Sequence, residues 1–84
     1  MSRKNQSESD CSVEFVKVLK SERIDKKNRM DLRVAKWKRA KKPVVEKRRI
    51  WEHEDGDRPT KMVGLNAEDL RYLHEHYADI INIL

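Results

Sequence analysis

Apolar and polar residues alternate along most of this chain, and only near its end does the pattern change to a helical period. In residues 12–19, Val13, Phe15, Lys17 and Leu19 fall on one side and Glu14, Val16 and Val18 on the other, which predicts a strand with one strongly apolar face. Residues 20–29 hold little that is apolar besides Ile24, and Asp25 and Asn28 are turn formers, so this stretch reads as a loop. Met30, Leu32 and Val34 then alternate with Asp31, Arg33 and Ala35 in a second strand that continues through Lys36, Trp37 and Lys38, with Trp37 on the Arg33 side. After a polar connection at 39–42 and Pro43, residues 44–53 predict a third strand. It places Val44, Glu46, Arg48 and Ile50 on one face and Val45, Lys47, Arg49 and Trp51 on the other. Residues 54–59 predict an exposed turn in which Gly56 takes positive φ and Pro59 ends the pairing. Residues 60–65 form a short fourth strand with Lys61, Val63 and Leu65 on one side.

The period changes at Asn66. Its side chain is a good N-cap, Glu68 and Asp69 put negative charge at the positive end of a helix dipole, and Leu65 and Leu70 occupy the two positions of a hydrophobic staple. Leu70, Leu73, Tyr77, Ile80 and Leu84, with Ile81 and Ile83 widening the far end, make an apolar stripe on a helix over 66–84. The stripe must be covered, either by this chain's own sheet alone or by that sheet together with a second copy. The predicted fold is α+β: a four-stranded antiparallel sheet followed by one C-terminal helix, with a homodimer as the expected assembly. Residues 1–11 are expected to be a disordered polar tail and 12–84 the folded domain. A domain of this size buries a modest share of its surface, which makes dimerisation valuable.

Charge sharpens this picture. The chain of 84 residues has 20 Lys or Arg and 15 Asp or Glu, but the two signs are segregated. Residues 1–65 carry 19 basic against 11 acidic side chains, and residues 66–84 carry one against four. Within 26–49 there are 12 basic residues and only Asp31 and Glu46 as acids, a density that attracts polyanions. Cys11 is the single cysteine, cannot form an internal disulfide and reads as a bystander in a reducing compartment. No apolar run is long enough for a membrane span, and no apolar signal region begins the chain; the expected location is the nucleoid-containing cytoplasm of a bacterium or a eukaryotic nucleus. His53, His74 and His76 lack ligand spacing, and no nucleophile or phosphate-loop motif is present, so the expectation is a protein without enzymatic activity, cofactor or metal.

Aromatic rings among cations suit single-stranded nucleic acid: each base stacks on an indole and each phosphate takes a mobile positive partner. Duplex would more typically be read by a helix in the major groove, and the one predicted helix is acidic. Arg33, Lys36, Trp37, Lys38, Lys47, Arg49, Trp51 and Lys61 are therefore the candidate nucleic-acid-binding residues. Strand alternation prevents all of them from sharing one side.

Arg49, Ile50 and Trp51 before an acidic turn, Lys61 before the helix, the opening Asn66, Ala67, Glu68, Asp69 and Leu70, and Trp37 in the second strand together resemble the transcriptional positive cofactor four family, especially its short bacterial relatives. The similarity covers about residues 13–84. Met62 stands where the family usually has glycine, and the connection between the second and third strands is longer and more basic. The resemblance implies a curved four-stranded sheet and a helix, paired through helices and sheet into a homodimer that holds unpaired DNA with little sequence preference, in transcription regulation, replication or repair and beside that machinery. Its dimer seam would use Leu70, Leu73, Tyr77, Ile80, Ile81 and Leu84. RNA is an alternative ligand, because a stacking platform does not distinguish the sugar. A small protein-interaction adaptor with a basic solubilising surface is the alternative from another class.

Overall fold

The structure is a computed structural model and describes residues 13–84; the predicted tail and Cys11 lie outside the described residues. Four antiparallel strands, β1 (Val13–Arg23), β2 (Asn28–Trp37), β3 (Val44–His53) and β4 (Gly56–Val63), form one sheet in the order β1-β2-β3-β4. Two helices follow, α1 (Ala67–Glu75) and α2 (Tyr77–Ile83). The expected strand order is thus present, and the expectation of a single C-terminal helix is corrected to two. The break falls at His76, with φ −111° and ψ 21°, outside the helical basin; its ring lies against Tyr72 at 4.3 Å between centroids. Neither glycine nor proline marks this position, so the even apolar spacing ran across it unbroken.

Strand limits also differ from expectation: β2 begins at Asn28 and ends at Trp37, β4 ends at Val63, and the largest differences are at the end of β1 and the start of β4. β1 extends to Arg23, because the β1–β2 connection needs only residues 24–27: Asp25 accepts from the Lys27 N–H at 2.9 Å and from the Asn28 side chain at 3.0 Å. β4 begins at Gly56 and includes Pro59, which was expected to stop the pairing. Pro59 sits opposite Ile50, where the β3–β4 register shifts, on an edge strand whose outward positions need no N–H donor. Gly56 has φ 131°, the positive value anticipated for the turn after Glu54 and Asp55.

Register fixes the faces of the sheet, because residues directly opposite in an antiparallel pair project to the same side. Leu32 lies opposite Lys47, and Val34 opposite Val45. Lys47 Nζ reaches Asp69 Oδ2 of α1 at 2.8 Å, so this is the side on which the helices pack. Leu32 and Val34 are buried there, and Ile80 of α2 is buried as well.

Polar contacts hold the start of α1. The Asp69 N–H donates to Asn66 Oδ1 at 2.8 Å and the Asn66 N–H donates to Asp69 Oδ2 at 3.0 Å, a reciprocal capping box. Lys20 Nζ also approaches Asp69 at 3.7 Å, and the Tyr72 hydroxyl donates to the Leu19 carbonyl at 2.9 Å. Leu65 and Leu70 both remain exposed, so entry into the helix is governed by the capping box and these polar ties to the sheet.

Candidate nucleic-acid interface

The opposite, open face of the sheet carries an ordered array of ions. Arg33 faces Glu46, Asp31 faces Arg48, and Arg29 faces Ile50 across the β2–β3 pair. Arg33 Nε donates to Glu46 Oε2 at 2.9 Å and Arg48 Nε to the same oxygen at 3.2 Å. The Trp37 indole donates to Glu46 Oε1 at 3.1 Å, and its ring lies under Arg48 at 5.0 Å and near Arg33 at 5.8 Å. Burial pushes the Glu46 carboxyl up, but hydrogen bonds from Arg48, Arg33 and Trp37 outweigh this and hold it below the usual range.

A second cluster lies toward the other end. Arg29 bonds Asp31 through Nε at 3.0 Å, Glu52 through Nη1 at 2.7 Å and Asp57 through Nη2 at 2.8 Å. Burial works against the Arg29 charge, yet those three carboxylates raise its pKa overall. Hydrogen bonds from Arg23, then from Arg29, pull Glu52 down to about 2.

The proposed binding residues therefore separate. Arg33 and Trp37 are on the open face and engaged in the ion array. Lys47, Arg49 and Trp51 are on the helix face, opposite Leu32, Met30 and Asn28. Lys47 is engaged by Asp69, and Lys36 Nζ donates to the Trp37 carbonyl at 3.0 Å. Lys38 is exposed in the connection after β2, and Lys61 is exposed on β4. Trp37 and Trp51 sit near opposite ends of β2, nine residues apart in register, or roughly 30 Å at the rise of a strand.

What gathers around Trp51 is more suggestive. The backbone N–H of Glu52 donates to the Lys27 carbonyl at 2.7 Å, which ties the β1–β2 loop to the end of β3. A cleft of about 460 Å³ results, lined by Lys26, Lys27, Trp51, Glu52, His53 and Glu54. The indole is 39% exposed, and His53 meets it edge-on at 4.8 Å. Lys26 and Lys27 are exposed and have no ion-pair partner among the described residues, whereas Glu52 is already neutralised by two arginines. No family model, curated protein or solved structure matches this chain.

Lys26, Lys27 and His53 were not among the residues picked from the sequence. The available signal was the pair of turn formers Asp25 and Asn28; what was missing was the register that sets Asn28 opposite Trp51. Of the residues expected at a dimer seam, Ile80 is buried against this chain and Leu73 is half-buried. Leu70 on α1 and Tyr77, Ile81 and Leu84 on and after α2 are exposed by 56, 63, 45 and 47%, which leaves apolar side chains of both helices facing solvent. Among the described residues no cluster of His, Cys, Asp or Glu could hold a metal, and no helix is long and apolar enough to cross a membrane.

Proposed function

We propose that this chain is a homodimeric single-stranded DNA-binding module of the positive-cofactor-four kind, with little sequence specificity, serving transcription regulation, replication or repair in a nucleoid or nucleus. The observation that carries the reading is the exposed Trp51 ring beside Lys26 and Lys27, in a cleft whose two carboxylates are Glu52, held by Arg23 and Arg29, and the exposed Glu54. A base stacks on the indole and the two ammonium groups take the flanking phosphates. Exposed Lys61, and Arg49 alongside Trp51 on β3, extend the path, and the exposed cations Lys38, Arg39, Lys41 and Lys42 form a second basic region at the other end of the sheet. The exposed apolar side chains Leu70 on α1 and Tyr77, Ile81 and Leu84 on and after α2 support the homodimer, since exposed apolar surface of this kind suits an interface.

The test is titration with oligo-dT at low salt, read by tryptophan emission. Quenching is expected, together with a loss of at least about tenfold in affinity for Trp51→Ala. Affinity unchanged by Trp51→Ala would remove the proposed surface. Negligible binding to any oligonucleotide at about 100 mM salt would leave the protein-adaptor reading in its place.

A further inference from the structure

His53 lines the cleft beside Trp51 without taking part in stacking or in the lysine contacts. Its ring packs against the indole at 4.8 Å between centroids, with 73° between the planes, and its side chain is 29% exposed. Both partners of Nδ1 come from one residue. The Asp55 backbone N–H donates to Nδ1 at 3.2 Å, and Asp55 Oδ2 lies 3.5 Å from the same atom. Only an unprotonated Nδ1 accepts the amide, so that bond belongs to the neutral ring with its hydrogen on Nε2. Protonation turns Nδ1 into a donor, expels the amide and makes the carboxylate the partner. The Asp55 side chain is 73% exposed and free to close the remaining gap. Both contacts use Nδ1, which leaves Nε2 for a ligand in either form.

We propose that His53 is a third phosphate contact of this cleft and acts in its protonated form, with Nδ1–H held by the Asp55 carboxylate and Nε2–H donating to a phosphate oxygen. The inference rests on the single-strand reading above and adds to it a contact that depends on a proton. The charges around the ring divide. Lys26 and Lys27 from the β1–β2 loop, with Arg49 and Arg58 beside Trp51 on β3 and β4, oppose a further positive charge. Asp55 and Glu54 in the turn favour it, Glu52 is committed to Arg23 and Arg29, and Gly56 opposite His53 brings no charge. A bound phosphate adds to the favourable side. A charge-assisted bond to it is roughly twice as strong as a neutral one, so the strand selects the protonated ring. A ligand that prefers the charged ring takes up a proton as it binds, and its affinity rises as pH falls.

The experiment measures dT12 affinity of the full chain by tryptophan quenching at about pH 5.5 and about pH 8, on either side of the imidazole range, at several salt concentrations. Thymine does not titrate between these values. The wild type should bind at least about threefold more tightly at the lower pH, the scale of one hydrogen bond. Its slope of log affinity against log salt should be steeper there by about 0.7, the single-strand value for one phosphate. His53→Gln, which keeps a polar side chain, should lose both differences. Asp55→Asn keeps the backbone N–H without the carboxylate and should shrink the response to pH. In the ligand-free protein, imidazole nitrogen shifts should place the hydrogen on Nε2 at about pH 8. A hydrogen on Nδ1 there would overturn the assignment, as would an undiminished pH response in His53→Gln or in Asp55→Asn. Wild-type binding of dT12 that ignores pH sinks the His53 contact alone. Absence of any dT12 binding at either pH sinks the single-strand reading and the contact with it.

Discussion

Replacing Asp69 tests how the helices are held to the sheet. Its carboxylate is 2% exposed and accepts from the Asn66 N–H and from Lys47, with Lys20 at 3.7 Å. Asp69→Ala removes two hydrogen bonds of the charged kind, each contributing about 1.5 kcal/mol, and leaves Lys47 half-buried without its partner. The expected loss is about 3 kcal/mol, a large part of the stability of a domain this small. Asp69→Asn keeps an acceptor for Asn66 but not the charge facing Lys47, and should cost about half as much. With a urea m-value of about 1 kcal/mol/M, the unfolding midpoint should fall by about 3 M for alanine and about 1.5 M for asparagine. Glu68→Ala is the control: Glu68 is 79% exposed and 3.9 Å from Lys20, so its removal should change stability by less than about 0.5 kcal/mol. Burial pushes the Asp69 carboxyl up, but the Asn66 N–H and the lysines outweigh it and depress the pKa below its ordinary 3.8. A depressed carboxyl stabilises the fold above its unfolded value, and that contribution disappears as pH falls below about 3.8 through the folded pKa. A midpoint shift under about 0.5 M for Asp69→Ala would refute the proposed clamp.

Other outcomes follow from the same geometry. NMR titration of the Glu52 carboxyl should give a midpoint of about 2 in place of the ordinary 4.5, so its contribution to stability is present above pH 4.5 and lost as pH falls toward 2; an ordinary midpoint would mean that Arg23 and Arg29 are not engaged. Trp37→Phe should lower thermal stability, by leaving Glu46 one hydrogen bond short, with little change in oligonucleotide affinity, whereas Trp51→Ala should do the reverse. Light scattering should find a dimer that Leu70→Lys with Ile81→Lys converts to a folded monomer; a monomeric wild type at micromolar concentration contradicts the seam. Lys26→Ala with Lys27→Ala should flatten the slope of log affinity against log salt by about 1.4, the single-strand value for two phosphate contacts.

The strand count, their order and the capping Asn66 could be read from the chain because each depends on residues close in sequence. Alternation also separated Arg33 and Trp37 from Leu32 and Val34. It could not decide which side of β3 joins which side of β2. Lys47 illustrates the consequence: its charge resembled that of a phosphate ligand, but register sets it opposite Leu32, where a helix carboxylate reaches it. Trp37 was similarly ambiguous until Glu46 was found within reach of its indole. Lys26 and Lys27 belong to the basic stretch, but their place beside Trp51, 25 and 24 positions further on, depends on strand register. The break at His76 left no compositional mark.

The segregation of charge gives the molecule a preferred orientation. Four acids and one base reside in residues 66–84, on one side of a strongly basic layer, so the particle is an electrical dipole as well as a net cation. A polyanion approaching from afar would turn the helices away before any contact forms, and would do so less effectively as salt shortens the reach of the field.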